Sequence, residues 1–378
     1  MLIFAAILAI FIYGMTAAML GTILPDLSER FHLTPSQNGK IALAQALGLT
    51  IASVGVGPLL DSQGDKAGLL LGLILVAVAV ILLPRAPSYA AIAILLFVLG
   101  SGGGIVVTGA NALVNGGVSD AHRATASLLV NLFFGLGGFA TPFISANLLK
   151  KDPRRLCYLI AALTIVTIAV HAFTPMPAPA GAGGFVFAQV GPILGNPLLL
   201  LLSFFLFLYV ACEVGVWNWL PRHLIAQGVP ESRALNILSF GFALGLLFGR
   251  LGTSAILGLF TPAHVLIAAA VAMAVTTFLM LQTSKPTLAW VLVFIAGLSM
   301  APVFPITLAI TGTLFKQLAG TALGFVITCG WAGLAVSSPI IGALAGSDPK
   351  RLRKALLFIP ASSVVMIAVM LAIASSLH

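Results

Sequence analysis

Asp152-Pro153-Arg154-Arg155-Leu156 and Asp348-Pro349-Lys350-Arg351-Leu352 are two copies of one charged pentapeptide, 196 residues apart. The same offset carries Tyr13 onto Tyr209, Leu24-Pro25 onto Leu220-Pro221, Thr125-Ala126 onto Thr321-Ala322, Val130 onto Val326, Gly137 onto Gly333 and Ile144 onto Ile340. Apolar residues coincide by chance in any apolar-rich chain. A five-residue match that keeps an acid, a proline and two bases does not. The chain is a tandem duplication, and self-similarity of this kind constrains the architecture before any single element is read.

Between the matched points the sequence is almost continuously apolar. Of 378 residues, 60% belong to the AVILMFWYC set and 7% are charged, with a mean hydropathy of +1.15. A water-soluble domain carries about 25% charged residues, so a soluble globule is excluded. The apolar runs far exceed the ~10 residues of a barrel strand, which leaves an all-α integral membrane protein. A helical span needs about 20 apolar residues. Twelve transmembrane helices fit, near 2–25, 36–60, 68–84, 88–117, 124–148, 156–173, 198–221, 234–258, 263–282, 287–314, 321–346 and 355–376. The Pro-, Gly- and Ala-rich segment 174–197 separates them into a six-helix bundle over 1–173 and another over 198–378. The first run lacks a basic n-region and is too long for a cleaved signal peptide. Six is even, so both copies enter the membrane in the same sense. Such parallel repeats characterise transporters that rock one half against the other around a midplane site.

The net charge is +9, from 18 Lys and Arg against 9 Asp and Glu. No basic stretch is interleaved with stacking aromatics, so nucleic acid is not an expected partner; loops lying against lipid headgroups account for the excess. Cys157, Cys212 and Cys329 lie in apolar runs without CxxC or metal spacing and read as free thiols. The run Gly102-Gly103-Gly104 lacks the strand–helix context of a phosphate loop and reads as close helix packing. With no Ser/His/Asp set, metal cluster or Walker motif, neither an enzyme nor ATP-driven transport is expected, and no cofactor.

Of the nine acids, Asp26, Glu29, Asp61, Asp65, Asp120, Asp152, Glu231 and Asp348 fall in loops or at span ends, and Glu213 alone lies deep in a span. A carboxylate there costs ~2.5 kcal/mol or more to insert and faces a cavity or a partner. Helical spacing puts Tyr209, Glu213 and Trp217 on one face. A carboxylate beside an aromatic plate suits the hydroxyls and the C–H face of a sugar, and a deep carboxyl group can also carry a proton. The alternative is a polar group satisfied by a neighbouring backbone. Thr108, Asn111 and Asn115 form a stripe in the fourth span; Thr307 and Thr311 stand beside Pro302 and Pro305 in the tenth. Asn131, Gln45, Asn218 and Trp331 complete the candidates. For the amides the alternative is an interhelical hydrogen bond, averaging ~0.6 kcal/mol; for the threonines it is a bond back to their own helix.

Gly57-Pro58-Leu59-Leu60-Asp61-Ser62-Gln63-Gly64-Asp65-Lys66 resembles the G-x-x-x-D-R-x-G-R-K loop of the major facilitator superfamily, which joins the second and third spans on the cytoplasmic side and latches the closed state. Gly57, Asp61, Gly64 and Lys66 remain; Ser62 and Asp65 replace both arginines, which implies a weaker latch. Gly249-Arg250 is the reduced counterpart in the second copy. Tyr209-Val210-Ala211-Cys212-Glu213-Val214-Gly215-Val216-Trp217 is similar to the Y-V-G-x-E-x-x-x-G-x-W pattern of the fucose–galactose–glucose permease group within that superfamily. Ala301-Pro302-Val303-Phe304-Pro305-Ile306-Thr307 and Gly109-Ala110-Asn111 resemble two further segments of it. The resemblance implies the major facilitator fold, a cavity lined by spans one, four, seven and ten, and alternating-access transport of a small neutral solute, a monosaccharide. One departure stands out. The group's coupling carboxylate, four residues before the asparagine, is Val107 here, and the first span has no acid before Asp26. Coupling to a proton or to sodium, or transport down the substrate's own gradient, all stay open.

The expected protein is a multi-pass monomer in the lipid bilayer of the plasma membrane, the inner membrane of a bacterium. Two rivals are an exporter of drugs or amphipathic lipids and a non-transporting sensor on the same scaffold, the latter disfavoured by short loops. The charge bias opposes the loop motif. With the 2–3 loop inside, that side holds Lys66, Arg123 and Lys316, with Arg250 nearby. The opposite side holds Lys150-Lys151-Arg154-Arg155 and Lys350-Arg351-Arg353-Lys354. The loop motif belongs to the transport mechanism and sets the expected orientation.

Overall fold

The computed structural model describes residues 1–150, 152–178, 188, 190–283, 285–345 and 349–376. Among them every long regular element is a helix. In chain order these are α1 (Leu2–Phe31), α2 (Pro35–Gly55), α3 (Gly57–Gln63), α4 (Asp65–Leu82), α5 (Tyr89–Gly117), α6 (Asp120–Asn147), α7 (Pro153–Phe173), α8 (Val190–Leu194) and α9 (Pro197–Ala226). They continue with α10 (Glu231–Ile237), α11 (Leu244–Ile256), α12 (Pro262–Gln282), α13 (Pro286–Met300), α14 (Val303–Leu314), α15 (Ala319–Ala345), α16 (Pro349–Leu356) and α17 (Phe358–Ser375). Eleven helices, some assembled from consecutive segments, are long and apolar enough to cross a bilayer; the α2–α3 pair, bent by 41°, brings the number to twelve. Residues 179–187 and 189 of the 174–197 segment, and Lys151 and Asp348 of the two charged loops, lie outside the described residues.

Several spans start earlier than their apolar runs. α6 starts at Asp120 rather than near 124, and α4 at Asp65 rather than 68. Helix N-termini tolerate acids and proline, which an apolar count discards. Thr34, Asp152, Asn196 and Thr261 cap helices whose first residue is proline, accepting hydrogen bonds from the N–H groups of the first turn. At the other end, α1 and α9 run through Pro25 and Pro221 to Phe31 and Ala226, past the prolines at which the sequence reading ended both spans. The tenth span is broken between α13 and α14 at Ala301–Pro302.

The described chain divides into two compact units. The first comprises Met1–Ile193 with Gly312–Thr328, and the second Leu194–Thr311 with Cys329–His378. In the first, α1 packs along α6, α2 along α5, and α4 against α5 and α7. In the second, α12 packs on α13 and α17, α11 on α13, and α17 on α9. Glycines set the closest approaches. A methyl group at Gly137 would lie 2.3 Å from the Phe11 carbonyl oxygen, and one at Gly333, 196 residues on, 2.2 Å from that of Phe207, the residue 196 on from Phe11. The duplication is thus a duplication of packing.

A second pair of contacts repeats at 197 instead. Gly48 against the Phe97 oxygen and Gly100 against that of Gln45 in the first unit become Gly245 against Phe294 and Gly297 against Phe242 in the second. The extra residue has a structural home. Leu238–Ala243, between α10 and α11, is π-helical, and a π-turn absorbs one added residue within an otherwise continuous helix. Widening the turn loosens its hydrogen bonding, and the Trp290 indole N–H donates to the Phe240 carbonyl there at 3.3 Å.

Candidate functional site

Each unit carries a polar cluster at membrane depth. In the second, α9 is set by the Asn196 cap, whose Oδ1 accepts from Leu198 and Leu199 N–H. About four to six turns further on it presents Tyr209, Glu213 and Trp217. Tyr209 is fully buried, Glu213 half-buried and Trp217 36% exposed. Arg250 of α11 is close enough for its charge to act on the Glu213 carboxyl group, and the Tyr209 hydroxyl and Trp217 indole lie toward the same carboxyl. The buried Tyr209 hydroxyl faces the Glu213 carboxyl, outside strict hydrogen-bond alignment, and is turned to no other partner. Trp217 stands edge-on to Phe242, with ring centroids 5.2 Å apart; Phe242 belongs to the π-helical stretch. The cluster therefore holds a carboxyl group, a guanidinium whose charge reaches it, a buried tyrosine hydroxyl turned toward it and a partly exposed indole.

Other predicted residues of this unit have local partners. Asn218 is exposed and donates to Ser338 Oγ at 2.8 Å. The buried Thr307 hydroxyl donates to the Val303 carbonyl of its own helix at 2.6 Å, and Thr311 likewise to Thr307. Trp331 is half-buried against Phe304, 6.4 Å between centroids.

In the first unit, Asn111 and Asn131 meet directly. Asn131 Nδ2 donates to Asn111 Oδ1 at 2.9 Å and to the Ser127 carbonyl, while Asn111 Nδ2 donates to the Val107 carbonyl at 2.8 Å. The interhelical amide bond weighed from sequence is present. Beside it in the chain, the hydroxyls of Thr108 and Ser127 are buried and unpartnered. Gln45 is half-buried on α2, where its backbone oxygen meets Gly100.

The glycine-rich loop builds a clasp within the first unit. Asp61, 4% exposed, accepts from Gly320 N–H at 2.7 Å, Thr321 N–H at 2.8 Å and the Thr321 hydroxyl at 2.6 Å. These are the free N–H groups of the first turn of α15, where an anion is stabilised by the helix dipole. The backbones approach so closely that a methyl at Gly57 would lie 2.6 Å from Thr321 Cα, and one at Gly320 2.8 Å from the Gly57 oxygen. Gly64 has φ 87°, a left-handed conformation that favours glycine. Lys66 takes another role: its ammonium donates to the Ala172 and Thr174 carbonyls at the end of α7. Ser62 bonds back to Pro58 and does not substitute for an arginine. The positive charge comes from elsewhere. Arg123, buried, donates to Thr313 Oγ1 at 2.6 Å and pairs with Asp120 at 2.7 Å; Lys316 pairs with the same carboxylate at 2.6 Å. Asp120 and Lys316 are themselves repeat-equivalent positions, 196 apart. Beneath the clasp is a cavity of about 240 Å³ lined by Asp61, Asp65, Asn115, Arg123 and Lys316. Arg250, grouped with this gate by its sequence pattern, belongs to the second unit, where its charge reaches Glu213.

A duplicated helical membrane protein with a clasped inter-span loop and one buried polar cluster in each unit is a solute carrier. The sequence profile described as the Major Facilitator Superfamily matches residues 6–338, and the chain belongs to that family. It is a multi-pass protein of the plasma membrane, the inner membrane in bacteria. Among curated relatives, it is 23% identical to the Protein TsgA homolog of Erwinia tasmaniensis over 354 residues, covering 89% of this chain and 86% of the relative. Among solved structures, it is similar to the E. coli fucose:proton symporter FucP (TM-score 0.85, 18% identity, 98% of each chain). It is also similar to the proton:xylose symporter XylE (TM-score 0.77, 14% identity, 98% of this chain and 94% of the other).

Proposed function

We propose that this transporter carries a monosaccharide by alternating access, coupled to a proton held and released by Glu213, and acts as a monomer without chemistry on its cargo. The observation that carries this reading is the α9 cluster, a half-buried carboxyl within reach of a guanidinium's charge, with a buried tyrosine hydroxyl turned toward it and a partly exposed indole. Sugars need polar groups for their hydroxyls and an aromatic plate for their C–H face; a single deep carboxyl group can do the first and exchange a proton. That the structurally similar FucP and XylE are described as sugar:proton symporters supports the reading. Val107 stands where the fucose–galactose–glucose permease group has its usual carboxylate, which leaves Glu213 as the acid at depth.

The test is flux into proteoliposomes with a panel of labelled sugars, with and without proton and sodium gradients. Accumulation of one or a few monosaccharides driven by a proton gradient is expected, and Glu213→Gln is expected to remove either the flux or its dependence on pH. Wild-type flux at every pH in that variant refutes the assignment. Sodium-driven accumulation would replace the proton in it. Absent sugar flux with competition by hydrophobic compounds would favour an exporter, and binding without flux a sensor.

A further inference from the structure

α16 is short and two-faced: Leu352, Ala355 and Leu356 are buried, while Arg351, Arg353 and Lys354 are exposed. It joins α17 through Leu357 alone, and the 18 residues of α17 rise about 27 Å, close to the ~30 Å hydrocarbon thickness of a bilayer. α16 therefore sits at headgroup level. The Arg353 guanidinium donates to Gln282 Oε1, the last residue of α12, so α12 and α17 end at this same level. Lys285 follows just beyond.

Directly beneath, α12 and α17 leave an apolar groove of about 460 Å³, lined by Val275, Phe278, Leu279, Leu357, Pro360 and Val364 with small residues between them. It follows α12 from Leu279, one turn before Gln282, to Ala274, about 8 Å of helix. Among the described residues neither Arg353 nor Lys354 is in an ion pair. The first copy of the pentapeptide differs on both counts: Arg155 pairs with Asp152 at 3.2 Å, and α7 runs unbroken from Pro153.

We propose that this corner of the second unit is a selective site for an anionic phospholipid, its phosphate on Arg353 and Lys354 and one acyl chain in the α12–α17 groove. Any lipid tail could fill the groove. The unpaired charge at its mouth selects the headgroup, because basic side chains at a membrane surface attract anionic lipid. This stands independently of the solute carried.

The test uses the full-length protein purified from bilayers containing equal phosphatidylglycerol and phosphatidylcholine, with retained lipid counted by native mass spectrometry. About tenfold preference for phosphatidylglycerol is expected, as two basic side chains can confer. The double variant R353Q/K354Q should fall to parity. Ala361→Phe, at an exposed groove position, should reduce retention of both lipids, and R154Q/R155Q in the first copy should leave the preference intact. All these positions are on the surface, and unchanged melting in lipid-free detergent verifies folding. Equal retention by the wild type, an undiminished preference in R353Q/K354Q, or full retention in Ala361→Phe would overturn the site.

Discussion

A carboxyl group in an apolar span announces itself, whereas its counter-charge does not. Glu213 was legible because insertion of an acid is costly and few residue types justify it. Arg250 was not, because it lies 37 positions away in the chain, and only the fold of the second unit brings its charge within reach of Glu213. The amides were legible as polar positions, but sequence could not choose between cargo and neighbour. The structure gives Asn111 and Asn131 each other. These roles separate experimentally. Glu213→Gln should stop coupled transport in the protein that remains folded, and should also lower thermal stability, since it leaves the buried Arg250 without the Glu213 counter-charge. Asn131→Ala should lower stability by about 1–3 kcal/mol, the cost of stranding a buried amide oxygen, and lower transport only as much as folded protein is lost. If Asn131→Ala leaves stability intact and removes transport, the amide belongs to the cargo.

Helix by helix, the spans were readable from hydropathy, and their ends were readable from a signal an apolar count passes over, a capping residue followed by proline at 34–35, 152–153, 196–197 and 261–262. The π-helical turn was hidden: one inserted residue leaves an apolar pattern apolar, and it emerges only when glycine contacts are compared at 196 and 197. Gly137→Val and Gly333→Val should therefore act as twins. Each forces a branched side chain onto a carbonyl little more than 2 Å away, costing about 1–3 kcal/mol, and the double variant should be near-additive in thermal unfolding because the sites lie in separate units. The clasp is the other element-scale device. The lost motif arginines suggested a loosened latch, yet Asp61 holds three hydrogen bonds and Arg123 and Lys316 supply the charge. Asp61→Asn removes the charge that favours the start of α15, worth about 0.3–2 kcal/mol. A cysteine placed at half-buried Ala319 should then react faster with a water-soluble maleimide; an unchanged labelling rate would show that Asp61 does not hold this segment closed.

For the whole molecule the duplication decides more than it first seems to. Twelve spans put both termini on one side, and an offset of six spans puts both charged pentapeptides on one side as well. The two basic clusters are then copies of one feature, so the Lys/Arg excess on their side counts once as a signal, not twice. On the loop-motif side, each basic residue has protein work: Lys66 binds the carbonyls ending α7, Arg123 holds Thr313 and Asp120, and Lys316 shares Asp120. The positive-inside tendency reflects bases left in short loops near span ends, and a side whose bases are bound into helix ends gives a weak reading of it. The clasped loop is the stronger guide, and on it both termini are expected in the cytoplasm. Alkaline phosphatase fused to the C-terminus should be inactive and a fluorescent protein fused there bright. The reverse pattern would turn the protein over in the membrane, put the Asp61 clasp on the outer face, and leave both basic clusters facing the cytoplasm as the charge count demands.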